Sequence, residues 1–572
     1  MGKSCQRQAS RGISAVTVTD KDIGVGEVGG KAAGLLAVRD ALVRHPVEAT
    51  MLPMYVPEFA VIRTGHFDRF MNSNNLWDDE VLNQSDRLIA HAFQQADLPV
   101  ELVGSLWQFA RAANRPWAAR SSSLLEDSLG RPFAGIYQTK MIACYEAAES
   151  ARFQRLTEAV KLVYASTFFQ AARAYRETIG FDHHDEKMAV VLQPVVGARH
   201  GHRFYPTLSG VIRSVNYYPF GHGTPDDGTV SLALGLGKTI VDGGQVWQYC
   251  PRYPAAPPPV SSASDVLSKS QRLFWAVRMG APPVVDPTLE DEHLVQLELG
   301  EAHYDGELDS LISHYDGASD RLRPGPGTGD SPVALTFSPL LDYGLAPFND
   351  SIMALEALCR TAIGAPVEVE FAGSRQPGGY SIAILQARPL VVSEQVVSVP
   401  EEKLEAPENL VVCRRSLGNG EWHGIDHVVY LKPDAFAPAK NPVIRQEVSE
   451  INGLLRCNND GYLLIGYGRW GSQDPWLGVP VTWGEIGAAA AIVEAVRDDW
   501  RVDMSQGSHF FHNLTSFGVP YLCLDPLKDK VDWDWLAKQP VRFDRPHVRC
   551  VHLKKPLHIK VDGRHGRGVV TR

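Results

Sequence analysis

The sequence predicts a mixed α/β (α+β) protein with more than one domain, and three observations carry that expectation. The chain has 572 residues, several times the roughly 150 of an ordinary domain, so more than one core must coexist. Phe153, Leu156, Val160 and Val163 keep one helical face and continue toward Tyr175, whereas Met188 to Val196 and Ser381 to Leu385 are apolar runs of strand length. Helices and strands of this kind alternate along the chain rather than segregating.

Composition narrows the class. With 44% hydrophobic and 21% charged residues the chain is neither collagen-like, nor a coiled coil, nor mainly disordered. Its 56 basic and 66 acidic residues leave a net charge of −10. General attraction to nucleic acid or an anionic membrane is therefore not expected, and any polyanion must be gripped locally. The longest apolar run, Ile486 to Val493, is interrupted by Gly487 and is far shorter than the roughly 20 residues of a membrane span. Met1-Gly2-Lys3-Ser4-Cys5-Gln6 has Gln6 where a myristoylation signal has Ser or Thr, and no signal-peptide core follows, so a cytoplasmic protein is expected. Eight cysteines lie far apart without a C-x-x-C pair and read as reduced, mostly buried thiols.

Three stretches look like boundaries. Pro254 to Pro259 and Arg321 to Pro332 read as surface loops within a larger unit. The polar, proline-bounded stretch around Pro400 to Pro407 reads as an interdomain linker over 396–410. The expected domains are therefore 1–395, in two lobes of roughly 1–200 and 201–395, and 411–572.

Chemistry first surfaces in Val28-Gly29-Gly30-Lys31, a glycine turn opening a helix whose apolar face uses Leu35, Val38 and Leu42. Such a helix start suits phosphate, and glycines let the backbone approach a ligand. Next comes Trp117-Ala-Ala-Arg120-Ser121-Ser122-Ser123-Leu-Leu-Glu126-Asp127, followed by Phe133-Ala134-Gly135 and Thr139. An arginine leaving a strand toward three hydroxyls and a glycine loop offers bidentate, hydroxyl and backbone donors to a polyphosphate. The competing reading pairs the arginine with Glu126 or Asp127 in an ordinary loop.

These motifs, with Met188 to Val196, Gly235-Leu-Gly237, Val367-Glu368-Val369-Glu370-Phe371 and Ile384-Leu-Gln386-Ala-Arg388-Pro389, resemble in order the nucleotide-binding domain of phosphoenolpyruvate synthase and pyruvate phosphate dikinase. The resemblance covers roughly residues 20–395 and implies an ATP-grasp-like fold. It implies that Lys31 and Arg120 hold phosphates, Gly135 and Thr139 line the phosphate loop, and Gln193 lies beside adenine. Glu370 and Gln386 would hold Mg²⁺, with Glu368 as the alternative to Glu370, and Arg388 would touch the transferred phosphate of ATP. Phosphoryl transfer needs such cations and a hard metal on oxygen ligands. Gly235-Leu-Gly237-Lys238-Thr239 is not a P-loop, because position 232 is Leu. Lys238 also stands where the family usually has Glu, and the acid expected after the Gly210-Val211 strand is absent. His183-His184-Asp185 reads as a solvated loop.

The C-terminal third resembles the same family's swivelling phosphohistidine domain more faintly, through Asp474-Pro475-Trp476, Ala489 to Val493, Gln506-Gly507-Ser508-His509 and Phe517-Gly518-Val519-Pro520. The alignment selects His509 as phosphate carrier, with His512 as rival, and imidazole is a suitable nucleophile at neutral pH. Phe510-Phe511-His512 replaces the small residues of the motif. Trp470, Trp476, Trp483, Phe510 and Phe511 read as packing rather than as an acceptor pocket. The short stretch after His509 leaves no room for the family's phosphoenolpyruvate barrel of about 250 residues.

The expectation is thus an ATP-dependent phosphotransferase using Mg²⁺, passing phosphate through His509 to a small-molecule acceptor and releasing AMP. Two alternatives stand beside it: an ATP-grasp ligase or condensing enzyme that activates a carboxylate or enol directly, and a nucleotide-binding regulatory module without turnover.

Overall fold

The computed structural model describes residues 22–572 apart from 114, 127–134, 179, 218, 220, 257–261, 328–330, 343, 345, 377–378, 391, 393–396, 473, 475, 498–509, 511–513, 515–516 and 526. The first lobe is built on a five-stranded sheet in the order Asp22–Ile23, Ala60–Ile62, Met188–Pro194, Trp117–Ser123, Thr139–Ile142. On one face lie the helices Thr64–Ser73, Asp86–Gln95, Val100–Ala112 and Glu149–Ser166 around Phe67, Phe70, Phe93, Tyr164 and Phe168. The last of these helices forms where Leu156, Ala159, Val160 and Val163 repeat at helical spacing, and all four are buried. On the other face the helix Gly29–Arg44 sets Leu35 and Leu36 against Val61, Ala189 and Val191.

That helix also touches the second lobe. Its sheet has six strands in the order Trp247–Tyr249, Thr229–Ala233, Leu208–Arg213, Val367–Gln376, Gly379–Pro389, Met54–Tyr55. A Cβ at Gly34 would stand 2.1 Å from the Ala387 carbonyl oxygen, so only glycine lets the helix approach the 379–389 strand this closely. Gly29 has φ +76° and its Cβ would meet the Ser122 carbonyl at 1.7 Å. Both glycines therefore serve helix-to-strand packing. Arg321–Pro324, expected as loop, is an edge strand on Ile312–Asp316. A lone apolar Leu322 and a terminal proline hide it in the sequence, and an edge tolerates the missing N–H.

Among the described residues the C-terminal third forms a small two-stranded sheet of Arg469–Trp470 and Gly478–Val479 and a ten-stranded one. Four neighbours within it, Asn419–Leu431, Tyr462–Tyr467, Ala489–Ala495 and Tyr521–Cys523, run parallel. The helix Asn441–Cys457 makes the crossover between the first two. The antiparallel strands Val548–Asp562 and Arg567–Thr571 extend the sheet beyond Asn419–Leu431. This unit sits on the first lobe through the helix Gln170–Thr178: Phe517 lies 5.3 Å from Tyr175 and stacks at 5.0 Å on Trp483. Gly484 meets Ala174, and Arg456 pairs with Glu177 at 2.9 Å. The packing expected of Trp483 and Phe510 is this contact, Trp470 is 3% exposed, and Trp476 stands in solvent. Phe511 lies outside the described residues. The seven described cysteines are all free thiols. Among the described residues no helix is long and apolar enough to cross a membrane.

Candidate phosphate and metal site between the lobes

Arg120 leaves the 117–123 strand between Thr139 on one side and Val191 on the other. Residues opposite one another across a ladder share a face, so Arg120, Thr139 and Gln193 all look toward the second lobe. The guanidinium spans the gap. Its Nη1 donates to Gln193 Oε1 at 3.2 Å and to the Leu385 carbonyl at 2.7 Å. Its Nη2 donates to Glu370 Oε2 at 3.0 Å and Gln386 Oε1 at 2.8 Å. Glu370 and Gln386 are themselves cross-strand partners, so two oxygen donors from adjacent strands converge on one point. Two hard oxygens on a rigid hairpin suit Mg²⁺, which prefers one or two protein oxygens plus substrate phosphates. Gln193, 2% exposed, lies on the same first-lobe face.

Lys31 is 7% exposed and is held by Glu126 and by Ser121 Oγ at 3.1 Å. The hydroxyls of the 121–123 run are buried and engaged within the fold. Ser121 donates to Glu126 at 3.0 Å, Ser122 accepts from the Ala32 N–H at 3.1 Å, and Ser123 accepts from the Glu126 N–H at 3.0 Å. They fix Lys31, Glu126 and the helix start rather than lining an open loop. Glu126 therefore pairs with Lys31, while Asp127, Phe133 and Ala134 lie outside the described residues. Behind this cluster Glu186 is fully buried; burial raises its carboxyl to about 7 against the pull of Tyr137 and Arg176.

One rung further along the second sheet, about 7 Å away by strand rise, Glu368 opposes Arg388. Arg388 is 3% exposed and donates Nε to Glu368 at 3.0 Å, while Arg213 Nε reaches the other carboxylate oxygen at 2.5 Å. Glu368 shares the face of Glu370 but is enclosed by two guanidiniums, whereas Glu370 keeps a partly open side chain. Arg388 thus lies one rung from the Glu370 and Gln386 pair.

At the other rim, Gly135 adopts φ +68°, a turn conformation natural to glycine. The Thr139 N–H donates to Glu290 Oε1 at 3.0 Å, so a carboxylate from the second lobe covers an amide of the expected phosphate loop. Burial holds Glu290 above the usual carboxylate range against the pull of Lys238. Lys238 pairs with Asp242 at 2.9 Å; burial pulls its ammonium down, and Asp242, Glu290 and Asp291 outweigh that and raise it. Neither Glu290 nor the Leu385 carbonyl was visible in the sequence, since the first lies 151 positions from Thr139 and the second is a backbone atom.

His509 and His512 lie outside the described residues, in the connection between the parallel strands 489–495 and 521–523. At the carboxyl ends of three of the parallel strands is a cavity of about 510 Å³, lined by Tyr467, Arg497, Asp525, Asp529, Lys530 and Trp533 among others. Open parallel sheets bind ligands at that end.

The family described as "Pyruvate phosphate dikinase, AMP/ATP-binding domain" matches residues 25–408. The uncharacterized phosphotransferase YvkC of Bacillus subtilis (strain 168) is 30% identical over 199 residues, covering 34% of this chain and 21% of that protein. A phosphoenolpyruvate synthase of Aeropyrum pernix is 26% identical over 314 residues, 52% of this chain and 32% of that protein. A rifampicin phosphotransferase of Streptomyces sviceus is 28% identical over 168 residues, 29% of this chain and 17% of that protein. The matches span between 17% and 32% of the length of these relatives.

Proposed function

We propose that this chain, which belongs to the family of the pyruvate phosphate dikinase AMP/ATP-binding domain, is an ATP-dependent phosphotransferase of the dikinase type. The observation that carries the reading is the convergence of Arg120, Gln193, Glu370 and Gln386 on one point between the lobes. Mg²⁺ held by Glu370 and Gln386 neutralises phosphate charge when bound. Arg120 orients the polyphosphate, trading its present carboxylate and amide partners for phosphate oxygens. Lys31 adds a second positive charge from the helix start, and Gln193 offers amide groups toward the base. Gly135 and Thr139 border the phosphates, and Arg388 acts from the neighbouring rung.

His509 attacks the β-phosphorus: the imidazole N–P bond forms, the bond from Pβ to the α-bridging oxygen breaks, and AMP leaves. Water then attacks Pγ, the bond from Pγ to the β,γ-bridging oxygen breaks, and inorganic phosphate leaves a monophosphorylated His509. The phosphohistidine then donates to a small molecule carrying a hydroxyl, enol, carboxylate or amine. The cavity beside Tyr467 and Trp533 supports an acceptor with a planar apolar part, and Arg497 and Lys530 favour an anionic group on it.

The test uses ATP labelled separately at the β and γ positions, with wild type, His509→Ala and His512→Ala. Acid-labile β-label on wild type and His512→Ala but absent from His509→Ala, with AMP released, is the expected outcome. ADP formation that His509→Ala leaves untouched would overturn the relay and favour direct activation.

A further inference from the structure

The strand pair Asn419–Leu431 and Val548–Asp562 carries histidines that phosphoryl transfer does not use. Its register joins Glu421 to Lys560 and Trp422 to Ile559 and shifts before Ile425 meets Leu557; within that irregular step the His423 and His558 rings stand 4.1 Å apart. Glu421, His423 and His558 meet on one face of the pair. That face is the outer one: Ile559 and Leu557, at 0% and 1% exposed, point into the core, whereas Glu421 and His423 stand in solvent.

One ligand atom from each of the three residues lies within 4.8 Å of the others. Glu421 Oε2 stands 3.3 Å from His558 Nε2 and 3.9 Å from His423 Nε2. A tetrahedral ion with bonds of about 2.0–2.2 Å needs ligand-to-ligand edges of about 3.4 Å, so the carboxylate oxygen already stands near bonding-edge distance from both imidazoles. Lys560 holds the other carboxylate oxygen, Oε1, at 2.9 Å, which orients the group and leaves Oε2 toward the rings.

We propose that Glu421, His423 and His558 form a binding site for a divalent transition-metal ion of the zinc type, with the remaining coordination position open to water. Two imidazole nitrogens select such an ion over Mg²⁺ or Ca²⁺, which take oxygen ligands. The two rings now stack at 4.1 Å with planes 15° apart. Coordination turns His423, 67% exposed, out of the stack so that both nitrogens face the ion.

Two other clusters of the same residue types are excluded by their own partners. In Asp426, His427 and His552, Arg542 donates to the Nε2 of His427, which leaves the ring proton on the Nδ1 that faces Asp426 Oδ1 at 2.7 Å. In Asp182, His183 and His184, Asp182 Oδ1 already caps the short turn by accepting the His184 N–H at 2.9 Å, and His184 stacks on Trp77 at 5.2 Å.

The experiment titrates the chelator-stripped full chain with Co²⁺, read by its visible ligand-field absorption, and then displaces it with Zn²⁺. Wild type takes up one equivalent with a tetrahedral-type spectrum. Glu421→Gln, His423→Ala and His558→Ala each weaken binding about tenfold or more, with circular dichroism unchanged because all three lie on an outer face. His184→Ala and His552→Ala leave affinity unchanged. Absence of saturable binding to wild type overturns the proposal, as does wild-type affinity retained in His423→Ala and His558→Ala.

Discussion

Arg120 Nη2 donates to Glu370 Oε2 at 3.0 Å across 250 positions of sequence and across the gap between two lobes. The groups assigned to phosphate and to metal are thus one another's partners before any ligand arrives. A lysine cannot reproduce a planar fork that reaches four acceptors on three segments. Arg120→Lys should lower ATP turnover by about 10²–10³-fold, the usual effect of losing a fixed donor to developing charge. Steady-state nucleotide analysis measures it, with circular dichroism confirming the fold.

Glu368 accepts from the buried guanidiniums of both Arg213 and Arg388. Glu368→Gln leaves two buried cations facing a neutral amide, and breaking a buried pair in this way costs about 3–5 kcal/mol. The urea midpoint should fall accordingly, whereas the exposed Arg360→Ala should change it little.

Glu186 supplies a pH signature. Burial raises its folded pKa from 4.5 to about 7, so between those values the folded state keeps a proton that the unfolded state has released. Stability linked to this group is therefore full below about pH 4.5 and lost as pH rises toward 7, by up to about 3 kcal/mol. Glu186→Gln should flatten the pH dependence of the denaturation midpoint across that window. An unchanged slope would remove Glu186 as its cause.

Gly484 tests the docking of the C-terminal unit. A Cβ there would stand 2.6 Å from the Ala174 Cβ, so Gly484→Val should push the unit away from the 170–178 helix and open the stack of Trp483, Phe517 and Tyr175. Small-angle scattering should report a larger radius of gyration, and proteolysis near 397–408 should quicken.

Legibility in the sequence followed the kind of signal each feature leaves. The strands 188–194 and 379–389 and the helix 149–166 were readable because apolar periodicity is local. Arg120, Gln193, Glu370 and Gln386 were readable as an ordered set of motifs, and the fold brings them together. The Ser121–Ser123 hydroxyls misled, because a polar run suggests an open loop while here each hydroxyl is buried and satisfied. The turn at Gly29 also lets the helix start approach Ser122, and Gly34 lets the same helix approach Ala387, close contacts that leave no local pattern. Arg213 and Glu290 stayed hidden because their partners are 155 and 151 positions away, and pairing at that range leaves no local pattern.

The proposed function requires Mg²⁺-ATP to bind where Arg120, Glu370 and Gln386 converge. Calorimetric titration of the full chain with ATP, with and without Mg²⁺, tests it most directly when repeated on Arg120→Ala and Glu370→Gln. Wild type should bind one ATP per chain, strengthened by Mg²⁺, with binding severely weakened in Arg120→Ala and its Mg²⁺ dependence lost in Glu370→Gln. Undiminished, Mg²⁺-responsive binding in both variants would contradict it.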